Sequence, residues 1–459
     1  MSADKKTRVI TAALERIPRE ELLRIQEQRL LAQVRRCYDQ VPFYRDRWSP
    51  DVQRCRSLAE FKALVPFTSK QDFVGPTVGL NERIAGNANR VFEYHLTSGT
   101  SGLGQESHPL TVFDTEAQVA GWIFLSHWAG LEPGDRVAYT FPIALQQGGL
   151  WSIKAGEKLG YVGVQLGHYG SKEKLEHLLR FLPHGLVISP SYLSHLAALC
   201  SERGLDPLKE LQQLKAVFIA GENYTKEWVT ETESFWGCRV AEWYGLMQAG
   251  TNVAVSCERG LLPDGERGCL HLMEHRVLCE VLQPGSDEEV EPGEDGELVV
   301  TSLFREAFPV VRFRSNDRVR RSEVDCPCGR PFASIEAGTV ARYDDMMKIR
   351  GTNVWPESVD RVVLGDARTA EYRGEVFIDD GGREMVRVTV EVADAADAVP
   401  ERADALVASL QRGVKEVTGI NMSVEVVPPR TLERFEFKVR RWTDHRQEGR
   451  TVVRHISRD

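Results

Sequence analysis

Lys215-Ala216-Val217-Phe218-Ile219-Ala220-Gly221-Glu222-Asn223 sets a short apolar run against a glycine and a polar tail. Such a run reads as a strand that ends in a turn. Working outward, Gly185-Leu186-Val187-Ile188-Ser189 is a second strand, preceded by a helix carrying Leu175, Leu178, Leu179 and Phe181. Asp135-Arg136-Val137-Ala138-Tyr139-Thr140 and Tyr161-Val162-Gly163-Val164-Gln165-Leu166 are two more. Strands alternating with helices predict a largely parallel α/β core.

The pattern changes after about residue 255. Strands shorten, and the turns between Gln283 and Gly296 fill with Gly, Pro and Glu. That predicts a small antiparallel or barrel-like β subdomain over about 255–340. Near residue 345 a compact α+β unit of about 110 residues begins. Its strands lie within Glu375 to Val392, a helix runs from Glu401 to Val417, and a strand from Ser423 to Val427. At the other end, Arg19 to Tyr44 reads as a helical arm. Leu23, Leu30, Val34 and Cys37 fall on one face, and Val41-Pro42-Phe43-Tyr44 ends it. Leu64 to Lys70 connects into the main fold. Two domains follow, 1–343 and 344–459.

The chain has 459 residues, which suits two or three domains. With 58 basic and 67 acidic residues its net charge is −9, which gives no footprint for nucleic acid or anionic lipid. No run reaches the ~18 apolar residues of a membrane span. Met1 to Leu30 lacks a secretory apolar region, so a cytoplasmic location is expected. Nine cysteines in such a chain are expected to be mostly reduced, with some free to bind metal.

Five short motifs carry chemistry. Leu96-Thr97-Ser98-Gly99-Thr100-Ser101-Gly102-Leu103-Gly104 offers small residues and hydroxyls that can wrap phosphate oxygens, although it lacks the Gly-Lys-Ser/Thr of a Walker loop. On composition alone it reads equally as a surface loop. Gly221 and Glu222 follow one strand, and Glu242-Trp243-Tyr244-Gly245-Leu246-Met247-Gln248 follows another. Open α/β sheets bind ligands beyond strand carboxyl ends, where an acid and an aromatic ring can meet a purine. Asp317, in Arg312-Phe313-Arg314-Ser315-Asn316-Asp317-Arg318, can accept ribose hydroxyls or pair with its arginines. Arg342-Tyr343-Asp344-Asp345 lies between the domains, as a solvated linker or a hinge. Arg434-Phe435-Glu436-Phe437-Lys438-Val439-Arg440-Arg441 is a basic run, a pattern usually found on a solvated face.

In this order and spacing the five motifs resemble the adenylate-forming enzymes, and among them the phenylacetate–coenzyme A ligase branch. The likeness runs from Val41 to Lys438, and Glu297 to Leu303 and Arg350 to Pro356 share it. It implies a large N-terminal domain and a small mobile C-terminal domain. It also implies a carboxylate that attacks the α-phosphate of ATP, releasing pyrophosphate, before an acceptor displaces AMP. By the resemblance, Thr97, Ser98, Gly99, Thr100, Ser101 and Gly102 cradle the phosphates. Gly221, Glu222, Glu242, Trp243 and Tyr244 surround adenine, Asp317 holds the ribose, and Arg342 lies near ribose and phosphate. Asp344 is the hinge, and Lys438 reaches the α-phosphate and the carboxylate. A homodimer is implied as well.

Three positions depart from the branch. Gln248 stands where a magnesium-binding glutamate is usual, and a neutral amide offers less charge to a hard cation. Phosphates and water are then expected to hold Mg²⁺, with Glu106 a nearby acid that can help. Leu103-Gly104-Gln105 replaces a frequent lysine, and Asn316 replaces a glycine.

Cys326-Pro327-Cys328 is a tight knuckle that, with Cys257 and His271, can supply the four N/S ligands of a structural Zn²⁺; Cys269 competes. Phe141, Gln147, Gly148 and Gly149 follow a strand end in a region that lines the carboxylate pocket of the family. Aromatic walls and a glycine floor suit a planar aryl acid, with Trp243 and Tyr244 as the opposite wall. The leading reading is activation of an aromatic carboxylic acid by ATP and Mg²⁺, with transfer to coenzyme A. The alternatives are an acceptor other than coenzyme A (an amine, a carrier-protein thiol or a small inorganic nucleophile), activation of a non-acyl group, and a degenerate nucleotide-binding homologue.

Overall fold

In a computed structural model, the apolar runs of the middle of the chain form the parallel part of an eight-stranded sheet. The structure describes residues 13–74, 80–86, 88–97, 105–143, 147–350, 352–379, 383–433 and 441–446. Strands β1 (Glu93–Leu96) and β2 (Ser107–Leu110) pair as an antiparallel ribbon. Then come β3 (Arg136–Tyr139), β4 (Val162–Gln165), β5 (Gly185–Ile188), β6 (Ala216–Ile219), β7 (Arg239–Leu246), β8 (Thr251–Ser256) and β9 (Cys269–Leu272). Next are β10 (Val277–Leu282), β11 (Asp295–Ser302), β12 (Phe313–Arg320), β13 (Ser334–Glu336) and β14 (Ala341–Arg342). The large sheet runs β13-β9-β8-β7-β6-β5-β3-β4. Its β4, β3, β5, β6 and β7 are parallel, and β8, β9 and β13 are antiparallel additions.

Period two explains why these short runs are strands. On β5 and β6, Leu186, Ile188, Val217 and Ile219 enter one core cluster. Their neighbours Val187, Ala216 and Phe218 enter another. Strands buried on both faces need apolar residues throughout, which is why the runs are continuous rather than alternating. Each fully buried Val, Leu or Ile contributes roughly 1.5–3 kcal/mol relative to exposure.

Between residues 255 and 340 the strands divide between two sheets. Strands β9 and β13 continue the large sheet, while β10-β11-β12-β14 form a four-stranded antiparallel sheet of their own. The connection at Leu64 to Lys70 ties into that second sheet. The Thr68 N–H donates to the Arg312 carbonyl at 2.9 Å, and the Thr68 carbonyl accepts from Arg314 N at 2.8 Å.

The helical arm spans Arg19–Gln40. Leu30, Val34 and Cys37 are buried as expected, but Leu23 is 41% exposed and Leu22 is buried in its place. Leu22, Gln26 and Leu30 are spaced by four, and the apolar reading had passed over Gln26. That glutamine is buried because its Nε2 donates to the Glu274 carbonyl at 3.0 Å. Gln33 repeats the device against the Arg305 carbonyl at 2.7 Å.

The chain divides into compact units Met1–Tyr343 and Asp344–Asp459. In the second, β15 (Met347–Ile349) and β16 (Thr352–Val354) pair, and β17 (Thr369–Ile378), β18 (Glu384–Val392), β19 (Ser423–Val427) and β20 (Trp442–Asp444) form a sheet of order β19-β18-β17-β20. Helix Pro400–Thr418 places Leu406, Leu410 and Val414 in the same core as Val386, Val388 and Val390 of β18. Of the basic run near the C-terminus, only Arg441 is described. It is not on a solvated face: its Nε donates to Glu371 Oε1 at 2.7 Å, and its Nη1 lies 3.6 Å from Asp360 Oδ1.

Candidate active site

The carboxyl ends of β5, β6 and β7 form one edge of the parallel sheet. Gly221 turns the chain beyond β6 at φ +81°, a conformation that suits glycine. The Glu222 carboxylate reaches the start of helix Pro190–Glu202, accepting from Ser191 N at 2.9 Å and Ser191 Oγ at 3.0 Å. The negative charge lies at the positive end of that helix dipole.

On β7 the alternation of side chains separates neighbours. Trp243 packs with Trp122 at 4.6 Å between ring centroids and with Phe141 at 6.4 Å. Glu242 and Tyr244 face the other way. Adjacent strand residues point to opposite faces, so Trp243 and Tyr244 do not share a wall of one pocket. The Glu242 carboxylate accepts from the Tyr224 hydroxyl and from Gly338 N. Burial nevertheless pushes its pKa up to about 7, against the pull of those two donors.

The Tyr244 hydroxyl donates to Asp317 Oδ2 at 2.5 Å, and Arg342 Nη1 lies 3.6 Å from Asp317 Oδ1. Asp317 pairs directly with Arg342 in the β12–β14 register, which accounts for the second contact. Among the residues around Asp317, Arg312 meets Glu280, Arg314 meets Glu297 and Arg318 meets Asp295. Each of those arginines thus meets a carboxylate other than Asp317, which is engaged by Tyr244 and Arg342. Asn316 sits at φ +59° where the β11–β12 register shifts. A left-handed residue at a bulge is the role a glycine fills, and asparagine tolerates it.

The β1–β2 ribbon carries Thr97 at its mouth. Thr97 Oγ1 accepts from Glu106 N at 2.8 Å, and Thr97 N donates to the Glu106 carbonyl at 3.0 Å. Beside it, Gln248 Nε2 donates to Glu106 Oε2 at 2.7 Å. His108 lies 3.1 Å from the same oxygen through Nε2. Its Nδ1 faces Arg305 Nη1 at 3.3 Å. A guanidinium only donates, so Nδ1 accepts and Nε2–H donates to Glu106. Burial works against ionisation of Glu106, but His108 and Gln248 hold its carboxyl below the ordinary range.

Arg305 is wholly buried and donates to the Met247 carbonyl at 3.0 Å and the Gln248 carbonyl at 3.2 Å, fixing the β7–β8 turn. Its side chain also fills the space where Gly250, at φ +70°, has no Cβ. Sequence reading did not single out Arg305, His108 or Tyr224. The only local sign was a charged residue following the apolar pair Leu303-Phe304.

Gln147, Gly148 and Gly149 begin helix Gln147–Leu159. Gly167, another residue that reading missed, is where a Cβ would meet the Phe141 carbonyl oxygen at 2.5 Å. It lets the loop after β4 close on the segment carrying Phe141. Ser98, Gly99, Thr100, Ser101, Gly102 and Lys438 lie outside the described residues. Asp344 belongs to the short helical turn Tyr343–Asp345.

Cys257, His271, Cys326 and Cys328 converge, their ligand atoms all within 4.8 Å of one another. Cys257 Sγ and Cys326 Sγ are 3.8 Å apart, and Cys328 Sγ is 3.4 Å from His271 Nε2. Pairing of β9 with both β8 and β13 sets His271 opposite Val255 and Ser334. The knuckle reaches it from the β12–β13 connection. Cys269 instead meets Ser322 Oγ at 3.8 Å and is not one of the four. Cys328 is held below the ordinary thiol range by Cys257 first, then Cys326 and His271.

Residues 351–446 match the family described as AMP-binding enzyme C-terminal domain. The chain is 30% identical over 457 residues to the phenylacetate-coenzyme A ligase of Thermus thermophilus, covering 95% of this chain and 99% of that one. It is also 30% identical to the phenylacetate-coenzyme A ligase of Pseudomonas putida over 445 residues, covering 94% and 96%. Among solved structures, 2-hydroxyisobutyryl-CoA ligase in the postadenylation state, in complex with R3-HIB-AMP, shares the fold. Its TM-score is 0.81 at 23% identity, with 95% of this chain and 92% of that chain covered. The parallel sheet, its strand-end cluster and near-full-length identity agree: the chain belongs to the phenylacetate–coenzyme A ligase family of adenylate-forming enzymes.

Proposed function

We propose that this enzyme uses ATP to convert an aromatic carboxylic acid to its acyl-adenylate and then passes the acyl group to coenzyme A. The observation that carries the reading is the Tyr244–Asp317–Arg342 cluster beside the strand ends, where an aromatic ring, an acid and a cation meet. Asp317 accepts from the ribose hydroxyls, Arg342 supports it from β14, and Gly221, Glu222 and Tyr244 border the base. The segment Thr97 to Gly102 cradles the phosphates. A carboxylate oxygen of the acid forms a bond to the α-phosphorus, and the bond to the bridging oxygen of pyrophosphate breaks. The coenzyme A sulfur then attacks the acyl carbon and AMP leaves. Phe141 and the helix start at Gln147 to Gly149 border the acid.

Lys438 places an ammonium against the charge that gathers at phosphorus and forms no bond itself. Asp344 is the hinge about which the second unit turns between the half-reactions. Glu106 and Gln248 form the polar pair that would hold the divalent cation accompanying ATP, which would supply charge to offset that of the phosphates. Zn²⁺ is read as structural. With Zn–S of about 2.3 Å, a tetrahedral site sets sulfurs about 3.8 Å apart, the spacing of Cys257 and Cys326.

The test measures AMP and pyrophosphate release with ATP, Mg²⁺ and a panel of aryl acids, with and without coenzyme A. Acid-dependent release raised by coenzyme A, with a thioester mass, is expected. Release indifferent to coenzyme A assigns another acceptor. Lys438→Ala is expected to slow adenylation at least ~10²-fold. Undiminished adenylation in that variant removes Lys438 from its role.

A further inference from the structure

We propose that Glu106 supplies the carboxylate for the divalent cation that accompanies ATP, the charge that Gln248 lacks. The inference rests on the ATP-dependent reading above.

Glu106 is 1% exposed, yet only one of its oxygens is served. Oε2 accepts from Gln248 and His108. Oε1 has no hydrogen-bond partner among the described residues. A buried carboxylate normally has both oxygens satisfied, because an unserved charged oxygen costs several kcal/mol. The nearby guanidiniums do not fill the gap. Arg305 donates to three backbone carbonyls and His108, and Arg83 donates to the Phe73 carbonyl at 2.5 Å. The unfilled acceptor belongs to a residue whose backbone N–H donates to Thr97 Oγ1, at the described edge of the proposed phosphate cradle.

The identity of residue 248 follows from the same geometry. A carboxylate only accepts, so the amide must turn its nitrogen toward Glu106. A glutamate at 248 would set two buried carboxylates within hydrogen-bond reach, and one would be forced to take a proton. Glutamine avoids that and keeps a single negative charge in the pair. The pair's one negative charge thus sits on the β1–β2 ribbon and not on the β7–β8 turn. Mg²⁺ characteristically takes one or two carboxylates together with phosphates and water. One acid at this place meets that need.

The test uses the full-length chain and a non-hydrolysable ATP analogue, so that no turnover is read. Its dissociation constant is measured by calorimetry with Mn²⁺ and with EDTA, and the ratio gives the metal-dependent gain. Glu106→Gln, nearly identical in shape, is expected to lose about 10-fold or more of that gain while keeping the EDTA affinity. The exchanged pair Glu106→Gln with Gln248→Glu is expected to recover it. Glu106→Gln with an undiminished gain overturns the proposal, because a mere counter-charge to Arg305 would not move this ratio. A wild-type chain that binds the analogue equally with and without metal overturns it and leaves ATP use standing. A wild-type chain that binds no analogue overturns both.

Discussion

The Tyr244 hydroxyl donates to Asp317 across two sheets, joining β7 of the large sheet to β12 of the smaller one. Hydrogen bonds to charged acceptors contribute roughly 1.5–3 kcal/mol, and Asp317 is only 4% exposed. Tyr244→Phe keeps the ring and removes the donor. We expect it to destabilise the first unit by about 1–3 kcal/mol and to raise KM for ATP about 10-fold, with kcat less affected. Thermal unfolding and pyrophosphate release read the two effects. An unchanged KM would remove the pair from nucleotide binding.

The residue before Asp317 gives a second prediction. Asn316 holds φ +59° at the register shift between β11 and β12. A β-branched side chain there meets its own carbonyl, at a cost of roughly 1–2 kcal/mol. Asn316→Val is expected to lose that stability and to weaken ATP use by moving Asp317. Asn316→Gly is expected to stay within about 1 kcal/mol of the parent. If both variants unfold at the parent's temperature, backbone strain is not what selects this residue.

What the sequence made legible, and what it hid, follows from the range of the interactions. Strands β5 and β6 were readable because burial on both faces leaves no polar position to confuse the period. The convergence of Cys257, His271, Cys326 and Cys328 was readable because Cys-Pro-Cys is a local signal and cysteine and histidine are chemically distinctive. Leu22 was misplaced for Leu23 because the arm buries Gln26 and Gln33, whose amides serve carbonyls of distant segments. The strands after residue 255 gave no sign of which sheet they join, since both sheets offer antiparallel partners. The Arg305–His108–Glu106–Gln248 chain was invisible as a whole. Its links span separations of 197 and 142 residues, and no local pattern records a partner that far away.

The Cys/His cluster predicts a metal stoichiometry. Metal analysis of folded, desalted protein is expected to give about one zinc per chain. Cys326→Ser or prolonged chelation should remove it and lower the unfolding temperature of the first unit, because His271 and the remaining thiols then lose the charge that gathers them. Cys269→Ser should leave the zinc in place, since that thiol lies outside the four. Zinc lost from Cys269→Ser and retained in Cys257→Ser would reassign the fourth ligand.

Glu242 predicts how stability depends on pH. Its folded pKa stands at about 7, above an ordinary value of 4.5, with burial as the main cause. The folded chain therefore holds a proton that the unfolded chain releases in that interval. The stability this contributes is fully present below about pH 4.5 and is lost as pH rises through about 7. The shift corresponds to roughly 3 kcal/mol. Glu242→Gln mimics the neutral form and can still accept from Tyr224 and Gly338. Its unfolding temperature, measured beside the parent's between about pH 5 and about pH 8.5, should fall less steeply with rising pH. All other titrating groups are common to both proteins and cancel in the comparison. Parallel curves would mean that Glu242 is ionised in the folded chain throughout, with Tyr224 and Gly338 offsetting its burial.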